Sequence, residues 1–412
     1  MKTASGALDR RRDLGFFAEV IYIWATKANW RKPGPITAMG LRNAAALAAT
    51  GAETHFFANR GPESETSADI RDFYGVDAPA ELMVHRTRKG SAWKERFGRS
   101  VYRQALALIS EKCRGQSSVA ITRELGLLPP LLRLRARRPN LRVIYEAHDL
   151  HALPSYRERV KWTNRWQAFL ERSLLPRADG VICITKAQQR FYSRIVPRAN
   201  LINLPLGCDP VRPAADLEAR RKISTLAYIG HLHAEKGLDL ITRAIPKLAD
   251  RGIKVVFIGG HERQMASWLA RIERGKESVR MIPFLSPREL HEELARAASI
   301  GLAPLTDTFY NRYLTCPVKA LDYLSHGMPT IASALPTTRE VLGDAALYLK
   351  GSDPDELVDA AARILGSPEL YADLTRRAEA RAEELAWRHR AEAIREWTGA
   401  MFMHTRRSAL VQ

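Results

Sequence analysis

The sequence predicts an α/β protein of two doubly wound domains, each a parallel sheet with helices on both faces. Three observations lead there. Short apolar runs alternate with amphipathic helical patterns through both halves of the chain, as parallel strands joined by crossover helices do. A segment from Leu204 to Asp216, LPLGCDPVRPAAD, interrupts that alternation with three prolines and a glycine and reads as a linker. A chain of 412 residues that is 46% apolar can also bury two or three cores, at about 150 residues apiece.

In the first half, strands are expected at Val20 to Ala25, Thr54 to Ala58, Ser118 to Thr122, Val143 to Ala147 and Gly180 to Ile184, with a helix from about Ile36 to Thr50. In the second half they are expected near Thr225–Ile229, Lys254–Gly259, Val279–Phe284, Gly301–Pro304, Thr330–Ala332 and Ala346–Leu349. Helix starts are well marked. Ser286-Pro287-Arg288-Glu289 is a capping box with proline in the first turn, and Asp353-Pro354-Asp355-Glu356 is a second start of the same kind. Asp353 and Asp355 could also pass for a metal-binding carboxylate pair, but they open the helix Glu356 to Leu365 and capping accounts for them better. From Pro368 onward, Trp387, Ile394, Trp397 and Phe402 form an apolar stripe at helical spacing, which predicts packing and not chemistry.

The net charge of +19 is uneven: residues 1–210 carry 35 Lys and Arg against 19 Asp and Glu, the remainder 29 against 26. Two basic clusters stand out. His85 to Arg103 mixes seven cations with Trp93, Phe97 and Tyr102, and Leu131 to Arg138 alternates leucine with arginine. Both suit a solvated helix face or the headgroup region of an anionic membrane. The chain carries no nucleic-acid module signature, so no nucleic-acid partner is expected. Cys113, Cys183, Cys208 and Cys316 are scattered without metal-ligand or disulfide spacing, which fits a reducing cytoplasm. The first 25 residues are broken by Glu19, and no run reaches the roughly 18 apolar residues of a span. A membrane contact would therefore be peripheral, on the cytoplasmic face.

The most informative stretch is Leu226 to Gly237, LAYIGHLHAEKG: a buried strand, Gly230 for a tight exit, then Lys236 and Gly237 at the start of the helix bearing Leu238, Ile241, Ala244 and Ile245. The first turn of a helix offers unpaired N–H groups and the positive end of its dipole, which suits phosphate oxygens. Lys236 adds a full charge.

A second pattern lies at Pro304 to Ser333, where Pro317-x-Lys319-x-x-Asp322-Tyr323 is followed by Gly327-x-Pro329 before a strand. Jointly with GHLHAEKG, it resembles the family 4 retaining glycosyltransferases, specifically the subgroup with Pro-x-Lys-x-x-Glu-Tyr. The resemblance covers nearly the whole chain and implies the GT-B fold: two Rossmann-like domains facing across a cleft. It implies an acceptor-side domain over 1–208, a nucleotide-sugar domain over 209–385, and a last helix, 386–412, returning to the first. Asp322 would accept hydrogen bonds from the nucleotide ribose, a task for a carboxylate. Pro317, Val318 and Lys319 would lie at the diphosphate with Gly230, His231, Lys236 and Gly237. Gly34 falls where relatives bring a glycine loop to the donor phosphates, and His148, ending the strand YEAHDL, where they carry a histidine near the transferred sugar. Read by themselves, Lys319 and Asp322 could be a surface ion pair, Gly34 a turn glycine and His148 a satisfied core or capping histidine.

Two positions depart from the family pattern. Relatives commonly have Gly-Arg where this chain has Gly230-His231, which replaces a diphosphate cation by a group that titrates near neutrality. Leu314 stands where the first glutamate of the Glu-x7-Glu pair would be, so sugar contacts are expected from the loop Thr306 to Asn311. The resemblance further implies a sugar transfer with no metal and no cofactor beyond a nucleotide-sugar donor, UDP- or GDP-linked first. Lys236 and His148 are the expected catalytic residues, and a glycan or lipid-linked acceptor the expected partner. The competing readings are a non-catalytic nucleotide-sugar-binding protein and a sugar-nucleotide epimerase of the same fold.

Overall fold

The computed structural model describes residues 20–32, 34–59, 66–87, 99–211 and 216–410. The amino-terminal stretch through Glu19, residues 88–98 of the first basic cluster and residues 212–215 of the linker lie outside the described residues. The chain forms two compact units, residues 1–204 with 387–412, and residues 205–386. The boundary thus falls after Leu204, a little before the expected end at 208.

In the first unit seven parallel strands run β1 (Ile21–Asn29), β2 (Thr54–Asn59), β3 (Leu82–Arg86), β4 (Ser118–Thr122), β5 (Leu141–Ala147), β6 (Gly180–Cys183) and β7 (Leu201–Asn203) along the chain. They lie side by side as β3-β2-β1-β4-β5-β6-β7. The main helices are α1 (Pro35–Ala49), α2 (Arg99–Lys112), α3 (Leu128–Arg135), α4 (Trp162–Leu174) and α5 (Lys186–Ile195). Strand order reverses between β1 and β4, which pair through Ile21 and Ser118. β3 and β7 were not expected from sequence: both are only half-buried, β3 at the sheet edge ends in His85 and Arg86, and β7 has three residues. Neither shows the continuous apolar run that marks a central parallel strand.

The second unit holds β8 (Thr225–Ile229), β9 (Lys254–Ile258), β10 (Val279–Ile282), β11 (Ile300–Ala303), β12 (Thr330–Ser333) and β13 (Ala346–Leu349), in the order β10-β9-β8-β11-β12-β13. Its helices are α6 (Leu217–Lys222), α7 (Leu238–Asp250), α8 (Glu262–Ala270), α9 (Pro287–Ala297), α10 (Phe309–Tyr313), α11 (Val318–Ser325), α12 (Pro336–Leu342), α13 (Pro354–Gly366) and α14 (Pro368–Glu384). α7 shows why these segments fold as they do. Leu238, Ile241, Ala244, Ile245 and Leu248 recur at helical spacing, and all are buried against Tyr228, Val255 and Phe257 of the sheet. The order reverses between β8 and β11, where Leu226 pairs with Ile300. In such sheets ligands bind at the carboxyl ends of the strands at that reversal.

The last helix, α15 (Trp387–Leu410), packs on α1 within the first unit. Trp387, Ile394 and Phe402 are buried there, and Trp397 lies so close over Gly180 that a methyl group at that glycine would meet its ring at 2.2 Å. Among the described residues no helix is long and apolar enough to cross a membrane, and no group of His, Cys, Asp and Glu could hold a metal ion.

Candidate nucleotide-sugar site

β8 ends at Ile229, and the chain leaves it through Gly230, whose N–H donates to Ile258 O (2.8 Å) at a φ of 110°. His231 follows on the surface, edge-on to Phe284 (4.9 Å between centroids) and stacked on His233 (5.6 Å). Lys236 sits on a single 3-10 turn, Ala234–Lys236, and Gly237 in left-handed geometry caps α7. Only glycine fits at 237, since a Cβ would lie 1.7 Å from Pro304 O at the end of β11. The loop is thereby pressed against the neighbouring strand end at the point where strand order reverses.

The segment after β11 completes the arrangement. Thr306 N donates to Glu235 O (3.2 Å), and the buried Asn311 gives its two amide hydrogens to Glu235 O and Thr306 O, each at 2.9 Å. Its Oδ1 faces Lys236 Nζ at 3.4 Å, and the Tyr310 ring lies 5.7 Å from the same ammonium. Asn311 is therefore a brace for the lysine, with its amide fully used. Asp307, in the same loop, pairs with Arg312. Of the loop expected to supply sugar contacts, only Thr306, Asp307 and Thr308 are exposed. Leu314 is wholly buried, so the position of the missing glutamate points into the core.

Pro317 is the N-cap of α11, and Val318 and Lys319 occupy its first turn. Ala320 N turns back to Pro317 O (2.9 Å), leaving the Val318 and Lys319 amides at the open mouth of the helix. Lys319 and Asp322 do not form the surface ion pair that their spacing alone permits. The Lys319 stem is half-buried, and its Nζ is shut off from solvent, 3.6 Å above the Tyr228 ring, without a hydrogen-bond partner in the structure. Asp322 turns instead toward His291, whose Nε2 is 3.8 Å from Oδ1, and Nδ1 of His291 meets Nε2 of the buried His326 at 2.9 Å. Tyr323 anchors the helix to the sheet by donating to Ala227 O (2.8 Å) and accepting from Ile229 N (3.2 Å).

Both lysines are held below the ordinary ammonium range. Burial lowers Lys236 against the opposing charge of Glu235. Lys319 is lowered further, by burial first and then by the charge of Lys236. Of the two, Lys236 is the half-buried ammonium at the strand-end loop, with Glu235 opposing its burial, and an anion bound there would relieve its penalty.

Gly34 and His148 belong to the first unit. Gly34 is the N-cap of α1 at a φ of 107°; Pro35 has no N–H, so the free amides of that turn begin at Ile36. His148 follows β5, with Nε2 bonded to the buried Glu146, which also pairs with Arg390. Burial and then Arg123 push the imidazole down, with Glu146 opposing.

Sequence reasoning did not anticipate the roles of Asn311 and Tyr228 in this site. Tyr228 was visible only as one residue of an apolar strand, and Asn311 only as the end of the loop expected to touch the sugar, where the structure makes it a brace for Lys236.

Residues 223–367 match the family described as glycosyl transferases group 1, and residues 36–207 match the glycosyl transferase 4-like domain, between them most of the chain. The chain belongs to the family 4 glycosyltransferases. Among curated relatives of this family 4 member, glycogen synthase of Thermus thermophilus is 27% identical over 198 residues, a match covering 46% of this chain and 42% of that protein. The chain thus spans less than half the length of such curated relatives. Among solved structures, sucrose-phosphate synthase from Thermosynechococcus elongatus has a TM-score of 0.68 at 17% identity, covering 95% of this chain and 100% of that one. Anabaena HepE in complex with UDP and glucose has a TM-score of 0.63 at 13% identity, covering 92% and 99%. These likenesses show the GT-B fold, with its two Rossmann-like parallel-sheet units.

Proposed function

We propose that the chain is a retaining glycosyltransferase. It moves a sugar from a nucleotide-sugar donor, held by the second unit, to a glycan, lipid-linked or other acceptor hydroxyl served by the first unit, in cell-surface polysaccharide or glycolipid synthesis. The observation that carries this reading is the convergence of Lys236, Lys319 and the mouth of α11 at the ends of β8 and β11. The loop bearing Lys236 and the helix bearing Lys319 are some 80 residues apart in sequence, yet Asn311 and Tyr323 tie them into one anion-ready surface. Family membership supports the reaction class, and HepE, solved with UDP and glucose, makes UDP-sugars the first donors to test.

In this reading the bond from the anomeric carbon to the diphosphate oxygen breaks, and the acceptor oxygen bonds to the same face of that carbon. The acceptor proton passes to the departing phosphate oxygen. Charge accumulates on the leaving diphosphate, and Lys236, with the Val318 and Lys319 amides, is already aimed at it. No metal enters the scheme. Gly230, Gly237 and Pro317 shape the backbone, His231 stands in for the usual arginine, and Asp322 holds the ribose. In the first unit, Gly34 serves the donor phosphates and His148 the transferred sugar. The protein would work in the cytoplasm, with the basic first unit drawn to an anionic membrane face.

Lys236→Ala should lower turnover about a hundredfold, roughly 2.7 kcal/mol of transition-state stabilisation. The donor is first identified by thermal-shift screening of UDP-, GDP- and ADP-sugars, and turnover is then followed as nucleotide release. Near-normal turnover by the variant would remove Lys236 from its role. A chain that neither binds nor turns over any nucleotide sugar would overturn the function.

A further inference from the structure

We infer that the outer face of α4 is a membrane-docking ridge that seats in the headgroup region of an anionic leaflet; this deepens the membrane reading of the first unit and rests on it. α4 turns its inner face to the sheet through Ala168, Glu171 and Leu174, all buried. Glu171 is fixed there by Tyr145 Oη (3.4 Å) and Ala152 N, and Arg172 Nε reaches Ala152 O at 2.9 Å. The orientation of the helix is therefore set from inside, and what it shows outside is a consequence.

Outside it shows Trp162, Trp166 and Phe169, at 76%, 54% and 58% exposure. Their spacing of four and three residues puts them within an arc of about 60° on the side opposite Glu171. Trp166 and Phe169 stack at 5.5 Å. Val160 is exposed just ahead, so four of the seven exposed large apolar side chains among the described residues lie within 160–169, a patch and not scatter. Arg159, Lys161 and Arg165 are exposed around them, and no acidic residue occurs from Arg159 to Leu170.

Aromatics that prefer the membrane–water interface, ringed by cations, fit an anionic bilayer surface. At 13 residues the helix is too short to span and would lie flat. The charge also argues against a second copy of this chain as occupant, since a two-fold contact would bring Arg165 and Lys161 toward their own images. Neither the tryptophans nor Phe169 stood out in the sequence, because exposure is a property of the fold.

The test is flotation of the whole protein, at low salt, with vesicles of phosphatidylcholine and phosphatidylglycerol and with phosphatidylcholine alone. Wild type should float with the anionic vesicles, and its tryptophan emission should be quenched by brominated lipid. The variant Trp162→Ser/Trp166→Ser/Phe169→Ser should lower the bound fraction about tenfold, with circular dichroism and melting unchanged because these side chains are exposed. Trp162→Phe/Trp166→Phe should retain binding. If wild type and the triple serine variant float equally, the ridge is overturned while the basic-surface reading stands; if wild type does not float, both fall. A dimer that the serine variant abolishes, without vesicle binding, would assign the face to a second copy and overturn the inference. Donor hydrolysis in solution should be the same in wild type and variants, so neither failure bears on the transferase reading.

Discussion

Lys319 and Asp322 lie three residues apart on α11, yet they meet different surroundings. The lysine ends over the Tyr228 ring, and the carboxylate, 16% exposed, faces His291. A carboxylate that keeps an accessible edge can accept from ribose hydroxyls, and a hydrogen bond to a charged group contributes about 1.5–3 kcal/mol. Asp322→Ala should therefore weaken nucleotide binding roughly ten- to a hundredfold while lowering turnover of bound donor much less. Calorimetric titration with the nucleotide checks this, and unchanged affinity would remove the ribose contact. The sequence made both residues candidates through their spacing. It gave no sign that one would bury its ammonium on an aromatic from another strand, because that depends on β8 passing beneath α11.

At the scale of elements, helix starts were legible because a cap is a local event. Ser286 Oγ accepts from Glu289 N (3.2 Å) and the Glu289 carboxylate from Ser286 N (2.9 Å), as the capping box requires. Asp353 Oδ1 accepts from Asp355 N (2.9 Å), and Asp355 pairs with Lys247, so this carboxylate pair is occupied in holding α13. Asp353→Ala should cost about 1 kcal/mol in urea denaturation and leave the transfer rate unchanged. A large loss of rate with little loss of stability would instead favour a metal role. The edge strands β3 and β7 were not legible, since a short or charge-bearing edge strand earns its place from a neighbour and not from its own pattern.

At the scale of the molecule, the last helix, α15, returns to the first unit through Arg390, which is 5% exposed. Its Nε donates to Asn43 Oδ1 (2.9 Å), Nη1 to Leu204 O (3.1 Å), and Nη2 to Glu146. Burial would raise the Glu146 carboxyl, but Arg390 and then His148 hold it down to about 2. Because this folded value lies below the unfolded one of about 4.3, the stability that it contributes is present above that pH and is lost as pH falls toward 2. Arg390→Ala strands a buried charge and should cost about 3–5 kcal/mol at neutral pH, less near pH 4 where Glu146 takes up a proton. Urea denaturation at the two pH values reads the difference, and a deficit independent of pH would assign the loss to packing alone. By itself the sequence determined the two parallel-sheet domains, the helix starts at Ser286 and Asp353 and the glycine turn that opens α7, because periodicity, caps and glycine placement act over a few neighbouring residues. Only the tertiary structure decided that Lys319 is sealed over Tyr228, that Asn311 braces Lys236, that Leu314 faces the core and that Trp162, Trp166 and Phe169 face out. Each of these depends on which element packs against which, and that is settled by burial across the whole fold.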